Sequence, residues 1–415
     1  MENKIMTIYP SELNGEVYIS GAKNAVLRHM AASILSDSKV ILSNYPANML
    51  DVQVHEEMLI ALGKKITKTE GTVCIEGPVN TSNLIWDKRS IRNTLLILGA
   101  LLAKTGEGRV PLPGGCSLGD RKYDIHVGLM EAMGASVWQE GNYLCAKVEG
   151  RLHACNYVLP IRSTGATENA IIMASLAKGT SRIWNPHIRP EILDLISLIK
   201  ELGAKIIVNG QESIIIEGVE SLDRDAYHYA LSDNMQALTY LIAGAIAGKE
   251  VLIHNFPFSD LEIPLTFLRF SGLEYYQNGN DVIVRRCNPY PVDISTGPYP
   301  GINSDMQPLF AVWGALSKGT STITDLRFVG RYGYADEFAK MGIKSIVDNN
   351  RLLIYGGNSI KGGETVTALD LRAGAALLLL SLVADSPTRI DDFWMIERGY
   401  DDFVATLTNL GVKVE

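Results

Sequence analysis

The chain has no Cys-x-x-Cys pair, no Gly-x-Gly-x-x-Gly, no long apolar run and no excess of positive charge. Each absence closes a class. Five cysteines stand scattered at 74, 116, 145, 155 and 287, so spacing spells out neither a thiolate metal site nor a redox box. An odd count without an apolar N-terminal leader points to free thiols in a reducing, cytoplasmic setting. The longest nearly apolar stretch, Ala373 to Ala384, is 12 residues. A bilayer span needs about 20, so the stretch reads as a buried helix. A net charge of −8 argues against a broad nucleic-acid surface. Gly114 and Gly119 have the spacing of a phosphate-binding loop, but Asp120 stands where that loop needs lysine.

What is present is a repeat. A chain of 415 residues is too long for one ordinary core, so two domains are expected. Helix ends of the form apolar–Gly before a short strand occur as "ALGKKI", "AMGASV", "ELGAKI", "FSGLEY", "KMGIKS" and "NLGVKV". Their glycines, at 63, 134, 203, 272, 342 and 411, lie 69 to 71 residues apart. Each fits the position after a helix where a left-handed backbone is needed. A second marker, an Ala/Leu-rich helix running through a small turn into a β-branched strand, keeps the same spacing ("MASLAKGTSRIWN", "WGALSKGTSTITD"). Six units of about 70 residues, each strand–helix–strand–helix–strand, predict an α/β (α+β) chain of two domains with three units each; a solenoid of such units is the plain alternative.

Chemistry concentrates at "LPGGCSLGDRKYDIH", residues 112–126. Glycines let a loop approach a ligand closely and move. Arg121 would favour the thiolate of Cys116. An ordinary small residue in a turn is the plain alternative for that cysteine. Cations recur at expected helix starts: Lys23 with Asn24 in "SGAKNAVL", Arg92 in "RSIRNTLLILGALLA", and Asp370 with Arg372 in "TALDLRAGAALLLL". Arg331 in "FVGRYGYADEF" and Arg398 in "MIERGYDDF" complete the set. A cation at a helix N-terminus opposes the macrodipole. Its repetition suggests an anionic ligand; surface arginine is the plain alternative.

Together "GEVYISGAKNA", "LPGGCSLGDR", "TGATEN", "SDMQ", "GRYGYADEFAKMG", "DLRAGAALLL" and "IERGYDDF" resemble the enolpyruvyl transferases along the whole chain. The Gly-Gly-Cys loop is similar to the branch whose acceptor is UDP-N-acetylglucosamine. The resemblance implies a two-domain inside-out α/β barrel. Residues 1–22 plus 232–415 would form one domain; residues 23–231, carrying the loop 112–121, would form the other. It implies transfer of the enolpyruvyl group of phosphoenolpyruvate to a hydroxyl, with release of phosphate, at the first committed step of peptidoglycan precursor synthesis. Cys116 would deliver the C3 proton and be the target of fosfomycin. Asp305, which also fits a helix N-cap, would be the base near the acceptor hydroxyl. Lys23, Arg121 and Arg398 would clamp phosphate, Arg331 and Arg372 would meet the carboxylate, and Arg92 would assist. Asn24, Asp124, His126, Ser163, Gly165, Asp233 and Asp370 are the further substrate-binding positions. No metal, organic cofactor, membrane, nucleic acid or obligate protein partner is implied; the partners are phosphoenolpyruvate and a uracil-nucleotide acceptor.

The acceptor side departs from the family pattern. Lys122 and Tyr123 replace the usual residues between Arg121 and Asp124, and Ile161 stands where a lysine is usual, with Arg162 beside it. Thr164 replaces an apolar residue, Arg189 an acid, and Asn234 and Gln236 charged residues. Two readings stay open: a peptidoglycan enzyme with Lys122 or Arg162 standing in for the lysine, or a paralogue acting on another uracil nucleotide or nucleoside. A non-catalytic nucleotide-sugar-binding homologue is a third.

Overall fold

The structure is a computed structural model and describes residues 4–114, 123–328 and 330–415. It is a mixed α/β chain in two compact units. One takes the described residues through Ser20 together with Ser232–Glu415; the other takes those from Gly21 to Leu231. Each unit has its own hydrophobic core.

Each unit holds three sheets. Four of the six share one plan, a parallel strand pair extended by an antiparallel hairpin; the other two have three strands each. In one, Asp293–Ser295 runs parallel to Thr320–Thr324, which pairs antiparallel with Arg351–Tyr355 in the register Thr320↔Tyr355 and Ile323↔Leu352. Along Thr320–Thr324 buried and more open residues alternate, the period of two that a half-buried strand requires. The helices that pack on these sheets read differently. Asn234–Ala247 is buried along its full length, and Leu371–Ser381 likewise. A helix apolar all round belongs in a core, and the stretch containing Ala373–Ala384 is one of these.

The six spaced glycines do one job. Gly63, Gly134, Gly203, Gly272, Gly342 and Gly411 have φ between +80° and +117°. In every case the next residue's N–H reaches back to a carbonyl in the last helical turn, from Lys64 to Leu59 at 3.0 Å through to Val412 to Leu407 at 2.9 Å. A side chain there would be strained, which is why the glycine recurs. Gly21 is needed for a different reason. A Cβ on it would lie 2.0 Å from the Asn44 carbonyl oxygen. In the unit through Ser20, Asp233 N–H donates to Ser20 at 2.9 Å; in the other, Ala22 N–H donates to Leu231 at 2.8 Å.

Candidate functional site

In the unit built from Gly21 to Leu231, Lys23 opens helix Lys23–Ala32. Its Nζ meets Asp51 Oδ2 at 2.7 Å, and both side chains are nearly buried. A cation at this helix start is stabilised by a carboxylate rather than by the dipole, which it opposes. One turn on, Arg28 Nε donates to Glu168 Oε1 at 2.9 Å and Nη1 approaches Asn24 Oδ1 at 3.5 Å. Glu168 is fully buried, and burial raises its carboxyl against the pull of Arg28. Arg92 lies in a turn two residues before helix Thr94–Thr105, not on its first turn. Asn93 takes the N-cap position there, and its side chain donates to the Leu27 carbonyl at 2.7 Å.

Asp124 begins helix Asp124–Ala132 and is exposed. His126, two residues on, is buried, with Nδ1 3.1 Å from Asn169 Nδ2. Desolvation, with the nearby Arg92 charge, pushes its pKa down to about 4. Gly165 packs on this ring: a Cβ would stand 3.2 Å from His126 Nε2. Ser163 caps helix Thr164–Ala174 through the Ala166 N–H. Two substituted positions have found local partners. Thr164 Oγ1 bonds His187 Nδ1 at 2.8 Å. Arg189 forms a two-bond fork with Glu191, both contacts 2.6 Å. Ile161 is exposed and Arg162 Nε reaches Asn185 at 3.4 Å.

In the other unit, Arg331, Asp305 and Asp370 come together. Arg331 is 5% exposed; its Nη1 donates to Asp305 Oδ1 at 2.7 Å and to Ser304 Oγ at 3.2 Å, and Nη2 lies 3.6 Å from Asp370 Oδ2. Burial alone would lower the guanidinium pKa; the two carboxylates outweigh it and raise it. Asp305 is not the helix cap. Asn303 accepts from the Asp305 N–H at 3.0 Å, which leaves the Asp305 carboxylate for Arg331. Asp370 is a cap, its Oδ1 accepting from the Arg372 and Ala373 N–H groups at 2.8 and 2.9 Å. Asp233 caps helix Asn234–Ala247 in the same way. Gln236, in the altered segment, bonds Ser20 at 2.9 Å.

Arg372 is the second residue of helix Leu371–Ser381 and is 1% exposed. It lies over the Tyr400 ring, with 5.2 Å from Cζ to the centroid. Its Nε and Nη1 are buried and have no hydrogen-bond partner among the described residues. Arg398 is 4% exposed, with Met395 Sδ at 3.7 Å from Nη1. Cys116, Arg121 and Lys122 lie outside the described residues. The described residues just before them are held: Ser90 Oγ donates to the Leu112 carbonyl at 2.8 Å, and a Cβ on Gly114 would stand 2.2 Å from the Ser90 carbonyl oxygen.

Sequence reasoning missed Asp51, Arg28 with Glu168, and Tyr400. Asp51 and Arg28 carry no pattern that marks them. Glu168 and Tyr400 sit inside the "TGATEN" and "IERGYDDF" segments and were passed over beside their neighbours.

Buried cations gathered around paired carboxylates on an α/β frame suit the handling of a small polyanion. The chain belongs to the enolpyruvyl (carboxyvinyl) transferase family: residues 8–407 match the family model described as EPSP synthase, 3-phosphoshikimate 1-carboxyvinyltransferase. It is therefore a transferase by family. Among its relatives, the UDP-N-acetylglucosamine 1-carboxyvinyltransferases of Pseudoalteromonas atlantica and Escherichia coli are each 35% identical, over 100% and 98% of this chain and 99% and 97% of theirs. In fold it is similar to the enolpyruvyl transferase NikO from Streptomyces tendae, with a TM-score of 0.89 at 24% identity over 99% of this chain and 98% of that one. EPSP synthase from Acinetobacter baumannii gives 0.74 at 16%, over 99% of each.

Proposed function

We propose that this chain transfers the enolpyruvyl group of phosphoenolpyruvate to a hydroxyl of UDP-N-acetylglucosamine, supplying a peptidoglycan precursor in the cytoplasm. The observation that carries the reading is Arg372. A buried guanidinium with unpaired donors is costly, and an anionic ligand offering two oxygens would satisfy it bidentately. The 35% identity to transferases named for that acceptor, across the full length, supports the acceptor.

In this reading Arg331 and Arg372 take the carboxylate and Lys23, Arg121 and Arg398 the phosphate. Cys116 delivers a proton to C3, the acceptor oxygen bonds to C2, and Asp305 receives the hydroxyl proton. The C2–O bond to phosphate then breaks, and C3 loses a proton to restore the double bond. Asn24, Arg92, Asp124, His126, Ser163, Gly165, Asp233 and Asp370 position the substrates. The three sheets of each unit, with their helices, form repeated units of a two-domain inside-out barrel.

A second reading, another uracil nucleotide as acceptor, is favoured by Arg189. It stands where the family pattern has an acid, and it forks to Glu191 with both contacts at 2.6 Å. Phosphate release from phosphoenolpyruvate with UDP-N-acetylglucosamine, UMP, uridine, shikimate 3-phosphate or no acceptor separates them. Release with the sugar nucleotide supports the first reading. Release with UMP or uridine alone supports the second. Release with none makes the chain a binding homologue and overturns both.

A further inference from the structure

Away from the residues discussed above, helix Lys23–Ala32, helix Pro190–Glu201 and strand Ala226–Tyr229 each turn a chemistry-bearing side chain toward one point. His29 is wholly buried, with Nε2 3.0 Å from Asp194 Oδ2. His228 Nε2 is 2.9 Å from Asp194 Oδ1. The two imidazoles meet edge to face at 4.8 Å between centroids. One ligand atom from each of the three residues lies within 4.8 Å of the others. We propose that His29, Asp194 and His228 form a binding site for one divalent transition-metal ion of the zinc class.

Three features favour an ion over a simple hydrogen-bond network. First, His29 is wholly buried with Nε2 3.0 Å from Asp194 Oδ2, and its Nδ1 has no hydrogen-bond partner among the described residues. Two ligands on one tetrahedral zinc, each about 2.0–2.1 Å from it, stand roughly 3.3 Å apart. The contacts of 2.9 and 3.0 Å run to the two different oxygens of Asp194, and the three donor atoms, within 4.8 Å of one another, would draw together by up to about 1.5 Å to hold the ion. Second, His228 Nδ1 is 2.7 Å from Glu201 Oε1. A carboxylate taking Nδ1–H fixes the tautomer that leaves Nε2 for a metal, the usual support of a metal-bound histidine. Third, two imidazoles and a carboxylate are a donor set for zinc, iron or cobalt rather than calcium or magnesium, and three protein ligands leave a position for water. An ion there would tie together three elements whose ligands are 165 and 34 residues apart in sequence, which is why no spacing motif announces it.

The test uses the full chain with any affinity tag removed, stripped with a chelator and dialysed. Co²⁺ is titrated in and followed by its visible ligand-field absorption; Zn²⁺ uptake is measured by equilibrium dialysis and elemental analysis. The expected result is one equivalent of either ion, with no thiolate charge-transfer band. Asp194→Asn and His228→Gln should weaken binding 100-fold or more. Glu201→Gln, at a side chain one-third exposed, should fold normally and weaken it 10- to 100-fold. His254→Gln removes a histidine also flanked by two carboxylates, Glu16 and Asp281, and should change nothing. Uptake well below one equivalent, or uptake that Glu201→Gln and Asp194→Asn leave unchanged, overturns the site and leaves a buried hydrogen-bond network.

Discussion

The Arg331 guanidinium holds the Asp305 carboxylate at 2.7 Å, while Asn303, two residues before it, does the local capping. That division of labour aims the Asp305 carboxylate at Arg331 while Asn303 serves as the cap. Asp305→Asn should therefore fold with a Tm close to that of the native chain, since Arg331 retains Asp370 and Ser304. Turnover should fall by about 10²–10⁴, the usual span for a lost general base. Phosphate release and a circular-dichroism melt check the two halves; unimpaired turnover would remove Asp305 from the chemistry.

Arg372 makes the opposite prediction for stability. Its buried Nε and Nη1 have no hydrogen-bond partner among the described residues, so Arg372→Met, similar in size and uncharged, should leave the Tm unchanged or raised. Phosphoenolpyruvate binding should be lost. Arg372→Lys keeps the charge but not the planar fork, and should raise KM for phosphoenolpyruvate at least about tenfold. Calorimetric titration with phosphoenolpyruvate reads both, and native-like affinity in the Met variant would contradict the assignment.

Cys116 is tested chemically. Cys116→Ser should fold and lose most turnover. Fosfomycin should inactivate the native chain and add its mass to the peptide containing Cys116. An unmodified peptide after inactivating exposure, or full turnover in the serine variant, would remove the thiol from the reaction.

Two buried histidines predict how stability depends on pH. Desolvation holds His126 down at about 4 and His55 down at about 3, against about 6.5 in the unfolded chain. Both are therefore neutral in the fold at pH values where the unfolded chain takes up protons. Their stabilising contribution is complete above about pH 6.5 and is lost as pH falls toward 4, by at most about 1.4 kcal/mol per pH unit for each. Urea melts from pH 7.5 to 4.5 should show this fall, and the double variant His55→Gln, His126→Gln should flatten it. An equal slope in both proteins would mean other groups carry the acid sensitivity.

Much of the architecture was legible because it rests on local rules. The six glycines follow from helix-end geometry, and the α/β character follows from Ala/Leu helices running into β-branched strands. The cations at Lys23 and Arg372 were visible for a related reason: a charge at the mouth of an apolar helix conflicts with both the dipole and the core. Arg92 falls two residues before its helix rather than on it, because Asn93 takes the N-cap position. Asn303 and Asp305 both suit a capping role by residue type, and only the fold separates them. Asp51, Glu168 and the His29–Asp194–His228 cluster were illegible because their partners are distant in sequence and follow no period.

The most direct test of enolpyruvyl transfer is the product formed from phosphoenolpyruvate and UDP-N-acetylglucosamine in D2O, read by mass spectrometry and proton NMR. The account predicts an enolpyruvyl ether of the sugar nucleotide, one phosphate per ether, and deuterium entering the vinylic C3 position through the protonated intermediate. Unchanged substrates, phosphate without an ether, or an ether whose C3 carries no deuterium would contradict it.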